Sequence, residues 1–276
     1  MEQYFDIILK TINDTYKPKK YKRIYTNEYY LTFILQMLNN VNQWIFIKEL
    51  KTIKSTFKNH YKTIYNKFLK WTNDGIFKKT FKNYLPTNYN NKIFSINNLL
   101  IDASHINNKY GSESVAINCQ NKKHKCTKLS VITTDNKFIL SVVNGNTYNK
   151  TNNNYHYKTH EHDVKIIKKT IDDINIELKV NNNVNLIADK GYITSNSYLI
   201  NNKKIKIVRP YKINEKNKLT KNEEKLLKCR YKIENVFCFL KQNERITLRK
   251  DRLLKTFMSF VYIGCLKENV KINNKH

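Results

Sequence analysis

Apolar and polar positions change rhythm near residue 92. Before that point the apolar residues recur at helical spacing. Tyr30, Leu31, Ile34, Leu35 and Leu38 form one stripe, and Asn39-Asn40-Val41-Asn42 ends it. Ile45 to Leu50 reads as a second, short helix. Tyr61, Ile64, Tyr65, Phe68 and Leu69 mark a third, running to Trp71. Thr72-Asn73-Asp74-Gly75 is a turn, and Ile76 to Tyr84 a fourth helix. Residues 1–25 are polar and basic and read as a loosely held arm, while Pro86 and the Asn-rich stretch 88–92 read as a linker.

After residue 92 the period shortens toward two, or the residues run continuously apolar and β-branched. Strands are expected at 93–95, 99–103, 114–118, 129–133, 138–143, 185–189 and 205–208. Asn144-Gly145-Asn146 is a turn. An amphipathic helix through Val164, Ile167, Ile171 and Ile174 has Asp163 as its expected N-cap. A short helix near 195–201, a longer one from Thr220 to about Asn243, and a last one over 253–266 complete the pattern. The Asn runs at 152–154 and 181–183 read as loops. Strands interleaved with helices predict an α/β fold with a mixed sheet, preceded by a small all-α region. The boundaries are an arm at 1–25, a helical region at 26–88 and an α/β domain at 92–270.

Charge changes this picture from a fold to a partner. The chain has 51 Lys and Arg against 22 Asp and Glu, a formal net charge of +29 over 276 residues. The abundance of Lys, Asn, Ile and Tyr fits AT-rich coding, but a coding bias does not explain the shortage of acids. A polyanion is the expected partner, nucleic acid first. Five cysteines without paired spacing fit a reducing compartment better than a disulfide framework. Neither a membrane-length apolar run nor a signal peptide at Met1-Glu2-Gln3 is present, so a soluble, intracellular protein acting at DNA is expected.

The few acids are placed distinctively. Leu99-Leu100-Ile101 stops at Asp102, and Leu186-Ile187-Ala188 stops at Asp189. Two carboxylates ~4 Å apart repel by about 4 kcal/mol at an effective dielectric near 20, so a cation is expected between them. On the helix after Thr220, Leu226, Ile233, Phe237 and Leu240 form the buried stripe. Arg230, Glu234 and Lys241 fall on a narrow charged stripe roughly 40–80° from Leu226 on a helical wheel. A carboxylate there can lean over the sheet edge toward Asp102 and Asp189, and the two cations can reach phosphate. The plainer alternative is open too: Asp102 and Asp189 as strand ends, Glu234 as an i,i+4 partner of Arg230.

The segments Leu100-Ile101-Asp102-Ala103-Ser104, Ala188-Asp189-Lys190-Gly191-Tyr192 and Arg230-x3-Glu234-x6-Lys241, in this order, resemble the DDE transposases of the IS4/IS5 insertion-sequence type. The tail Arg245-Ile246-x2-Arg249-x-Asp251 and the run Thr63 to Ile76 fit the same resemblance, which spans about residues 25–268. His162-Asp163 matches a recurrent His-Asp of these enzymes, and Leu227 stands where the family often has Tyr. The resemblance implies an RNase H-like core and two divalent ions, magnesium or manganese, held by Asp102, Asp189 and Glu234. Arg230 and Lys241 are implied as the accompanying catalytic cations. It further implies Lys190, Arg245 and Arg249 as DNA contacts, double-stranded DNA ends and target as substrate, and a homodimer in the active complex. A catalytically inactive DNA-binding descendant and a metal-dependent nuclease of the same fold are the alternatives.

Two basic segments fit phosphate contact. The helices at 45–71 resemble a helix-turn-helix, with Lys62, Asn66, Lys67 and Lys70 off the apolar stripe. Lys122, Lys123, Lys125 and Lys128 form a basic hairpin between two strands. His156-x3-His160-Glu161-His162-Asp163 reads as a solvated loop with a helix cap, because zinc needs about four placed N or S ligands and no partner pair follows. Cys119, His124 and Cys126 likewise lack a second Cys pair. With only five widely spread glycines and no phosphate loop, no nucleotide cofactor is expected.

Overall fold

Two apolar runs lie side by side at the centre of the molecule. In the computed structural model, Leu99-Leu100-Ile101 belong to β1 (Ile96–Asn108) and Leu186-Ile187 to β7 (Val180–Ile187), with Leu99 opposite Leu186 and Leu100 opposite Ile187 in parallel register. All five side chains are fully buried. A parallel strand covered on both faces has no solvent side, so its sequence runs apolar instead of alternating. Each such side chain contributes ~1.5–3 kcal/mol by leaving water. The structure describes residues 3–16, 25–39, 44, 61–89, 96–118, 124–152, 155–174, 180–194, 198–200, 202–213, 215 and 218–274.

The main sheet grows outward from this pair. On one side β1 pairs antiparallel with β3 (Lys125–Thr134), which carries β2 (Ala116–Ile117) and β4 (Ile139–Asn144) along its far edge. On the other, β7 pairs parallel with β9 (Lys203–Val208), and β8 (Tyr198–Ile200) closes the edge antiparallel to β9. Beyond the end of β7, a two-residue strand β10 (Leu248–Arg249) pairs parallel with the tail of β1. The result is the RNase H-like mixed sheet expected from the sequence. A separate two-stranded hairpin, β5 (Thr147–Asn152) with β6 (Tyr155–His160), projects from β4.

Helices cover both faces. On one face α5 (Asp163–Asp172) lies on β3, where Thr170 Oγ1 donates to Ser130 Oγ at 3.0 Å. On the other lies α7 (Tyr231–Lys241), whose Lys241 Nζ donates to Ser104 Oγ at 2.8 Å. The N-terminal helices are α1 (Gln3–Thr15), α2 (Asn27–Leu38), α3 (Tyr61–Asn73) and α4 (Ile76–Tyr89), with the turn at Gly75 in the left-handed region at φ +68°. The last helix, α9 (Leu254–Asn273), threads among them and also docks on β4. There Asn269 Oδ1 accepts from Ile139 N at 2.7 Å and its Nδ2 donates to Ile139 O at 2.8 Å, satisfying backbone that an edge strand would expose. One hydrophobic core runs from Tyr4 to Val270.

Several local expectations change. Instead of a loose arm, residues 3–15 form a helix because Tyr4, Phe5, Ile8 and Ile12 recur at helical spacing and are buried. The expected linker at Pro86 lies inside α4. Residues 198–200 are a strand, not a helix; Tyr198 and Ile200 point in and Leu199 out, an alternation hidden because all three are apolar. The Asn run at 181–183 belongs to β7, and the Asn run at 152–154 begins in β5. The segment 220–243 splits into α6 (Lys221–Leu227), a 3-10 turn over Lys228–Arg230, and α7. The expected helix at 45–50 and the strand at 93–95 lie outside the described residues.

Candidate active site

Register alone brings the first two acids together. Leu100 pairs with Ile187, so Asp102 and Asp189 stand two positions further along neighbouring parallel chains, where β7 has ended and the sheet opens. Each carboxylate folds back on the next backbone amide. Asp102 Oδ1 accepts from Ala103 N at 2.8 Å, and Asp189 Oδ1 from Lys190 N at 2.7 Å. Asp102 is the more enclosed. Burial, opposed by the Ala103 amide and the Arg230 guanidinium and reinforced by the carboxylates of Asp163 and Asp189, raises its pKa from 3.8 to about 6.

Helix α7 delivers the charged stripe to the same face of β1. Asp102 and Ser104 share that face by strand alternation. Arg230, ahead of α7, acts on Asp102, and Lys241, in its last turn, bonds Ser104. Glu234 lies between these two cations on the stripe. Its Oε1 is 2.8 Å from Arg230 Nη2, the i,i+4 pair that was the plainer alternative. The Glu234 side chain is 50% exposed and that of Arg230 33%, so the pair contributes ~0.3–0.5 kcal/mol and yields readily to a stronger cation.

A third carboxylate stands nearer to Asp102 than sequence reasoning foresaw. Asp163 is not the cap of α5; His162 holds that position, and Asp163 opens the first turn. Its Oδ1 lies 2.6 Å from Lys128 Nζ, and its Oδ2 is 3.9 Å from where a Cβ on Gly191 would fall. Tyr192, 1% exposed, places its hydroxyl among Asp163, Asp102 and Asp189 without a hydrogen-bond partner, and burial with these three charges keeps the phenol protonated far above its ordinary pKa. The signal for Asp163 was the His-Asp pair at a helix start, which reads equally well as a cap.

Among the described residues no three of these carboxylates offer oxygens within 4.8 Å of one another; the one group of donors at that spacing is His105, Cys126 and His160. Carboxylates that repel stand apart until a cation joins them. The donor set fits a hard divalent ion: the facing groups are all oxygen, they open to solvent, and the phenol among them lacks a partner.

The expected DNA contacts divide. Lys62, Asn66, Lys70, Lys125 and Lys190 are exposed, and Lys122 and Lys123 lie outside the described residues. Lys67 is half-buried, its ammonium 5.5 Å from the Tyr30 ring and 5.3 Å from that of Trp71. Three expected contacts are corrected because their charges are buried and already answered. Lys128 is 5% exposed and pairs with Asp163. Arg245 is 2% exposed and holds Asp251 in two hydrogen bonds of 3.0 and 3.1 Å. Arg249 is fully buried, donating to Glu113 O and Thr127 Oγ1, each at 2.7 Å. The tail motif therefore knots β10 and α9 onto the sheet.

Residues 94–263, more than half of the chain, match the transposase DDE domain family, and the chain belongs to it. Its fold is similar to the cryo-EM structure of a piggyBac transposase synaptic complex with hairpin DNA, at 10% identity and a TM-score of 0.50, covering 100% of this chain and 73% of that one. No curated protein sequence matches. Among the described residues no helix is long and apolar enough to cross a membrane. Family and fold together make this a transposase of the DNA-cleaving DDE class.

Proposed function

We propose that the protein cuts the ends of a DNA element and transfers the freed 3′ hydroxyls into target DNA, with Asp102, Asp189 and Glu234 holding two magnesium or manganese ions. The single observation that carries this reading is the parallel Leu100–Ile187 register, which sets Asp102 and Asp189 two positions further on at the open end of the sheet, with the Arg230–Glu234–Lys241 stripe over the same face. Bound divalent ions would supply Lewis-acid stabilisation of the attacking and leaving oxygens in an in-line displacement.

The chain's own residues do the remaining work. Asp102, half-ionised near pH 6, would have to lose its proton to hold an ion. Glu234 would help hold a divalent ion, and Arg230, now its ion-pair partner, would then be free to meet a phosphate. Lys241, anchored through Ser104, holds its charge beside the scissile strand. Tyr192 has a hydroxyl to orient one of the facing carboxylates. Exposed Lys62, Asn66, Lys70, Lys125 and Lys190, with Lys67 partly covered, track the DNA backbone. Joining two ends in one reaction supports a homodimer.

The test is supercoiled DNA carrying the repeats that flank the gene. The wild type should cut at the repeat ends and join them elsewhere, and Asp189→Asn should do neither while still binding the repeats. Cutting without joining points to a nuclease, and binding alone to an inert descendant.

A further inference from the structure

The other face of β1 carries a second donor set. His105 follows Asp102 by three residues, so alternation turns it away from the acids, toward the α5 face. Cys126 on β3 pairs with Asn107, which shares the His105 face. His160 ends β6, opposite Thr147 at the base of the hairpin. Three segments far apart in sequence thus bring one nitrogen, one sulfur and one nitrogen within 4.8 Å of one another.

We propose that His105, Cys126 and His160 bind one zinc-class divalent cation, with water in the fourth position. Cys126 Sγ lies 3.5 Å from His160 Nε2. A tetrahedral site with Zn–S ~2.3 Å and Zn–N ~2.1 Å needs S and N ~3.6 Å apart, so this edge is already at its bound length. The two imidazole centroids are 5.4 Å apart, a separation that two rings ligating one tetrahedral ion can keep. Cys126 is 1% exposed, and its thiol and the His160 nitrogen now spend their hydrogen bonds on the carbonyls of Ala116 and Cys126. Binding would release the thiol proton, while the neutral His160 ring would move its one proton from Nε2 to Nδ1 and so free Nε2 to ligate.

The donors exclude the ion that the acids favour. Two imidazoles and a thiolate suit zinc or cobalt, whereas magnesium takes oxygen. The charged groups around the pocket are Lys128, Lys241, Asp163 and Glu161. Lys128 is neutralised by Asp163, at 2.6 Å, and donates to Glu161 O at 2.8 Å, so a neighbouring dication meets an answered ammonium. The ion would staple the hairpin base to the sheet. Glu161, His162 and Asp163 follow His160 directly, so the staple also fixes where Asp163 stands beside Asp102.

The test uses the full chain carrying Asp189→Asn, to weaken oxygen-ligated metal, stripped with chelator and titrated with Co2+. One equivalent should give the intense visible bands of four-coordinate cobalt with a sulfur-to-cobalt charge-transfer band, and Zn2+ should erase both. Cys126→Ser should lose the charge-transfer band, and His105→Asn or His160→Asn should weaken binding by more than about tenfold. Cobalt bound without a charge-transfer band, or a band that survives Cys126→Ser, overturns the site. Should the Cys126 variant fail to fold, zinc-edge X-ray absorption on the unsubstituted protein decides: one sulfur in the first shell supports the site, and only oxygen and nitrogen rejects it.

Discussion

The two faces of β1 offer contrasting chemistries within four residues. Asp102 looks toward α7 from an opening rimmed by oxygen and exposed cations, while His105 looks toward α5 among nitrogen and sulfur. The first set stands apart because like charges repel, and the second is already gathered because its members are neutral. Preorganisation therefore runs opposite to openness: the site proposed to admit DNA is the loose one.

The sharpest way to separate the faces is Asp189→Asn. Strand cleavage should vanish, measured on repeat-bearing supercoiled DNA, while the cobalt charge-transfer band assigned to Cys126 persists. Loss of both would mean that the faces are one site.

Acidity should separate them with opposite signs. The Asp102 pKa is raised from 3.8 to about 6, so the metal-free folded state holds a proton that the unfolded chain gives up, and stability falls as pH rises through that window. The loss amounts to ~3 kcal/mol. His105, its pKa lowered to about 4 chiefly by burial and also by His160, does the reverse: its contribution is lost as pH falls from 6.5 toward 4. Urea unfolding at several pH values should show each slope disappear separately, in Asp102→Asn and in His105→Asn.

Magnesium should act on one face only. At roughly 100 times its Kd it should stabilise the protein by about 2.7 kcal/mol, read as a raised Tm that Asp102→Asn abolishes and Cys126→Ser leaves intact. Least in energy is Arg230→Gln, which should cost under ~0.5 kcal/mol of stability because its ion pair is exposed. The same change should move the Asp102 titration to higher pH by NMR, since the guanidinium now draws it down.

The oxygen face was legible in the sequence and the nitrogen–sulfur face was not, for a physical reason. An apolar run interrupted by a carboxylate is a local contradiction that a reader can see at Asp102 and Asp189. His105, Cys126 and His160 meet only through the β1–β3 register and a hairpin whose strands, Thr147–Asn152 and Tyr155–His160, carry no apolar alternation. Without a hydrophobic face to bury, their Thr and Tyr content was the sole strand signal, and the Asn residues between them masked it. Arg245 and Arg249 misled for the converse reason. In a chain this basic, an arginine near the site reads as a phosphate contact, and only the pairing with Asp251 and the Glu113 carbonyl reveals a buried one.

Helix α9 has a consequence for how the molecule is made. Thirteen of its twenty residues, Thr256 to Val270, are buried, and its Asn269 closes β4 while its neighbours fill the gap between the N-terminal helices and the sheet. During synthesis these residues emerge after the elements they pack against. The early helices must therefore wait, half-assembled, until α9 has emerged, and a nascent chain stalled short of residue 254 would remain a client for chaperones.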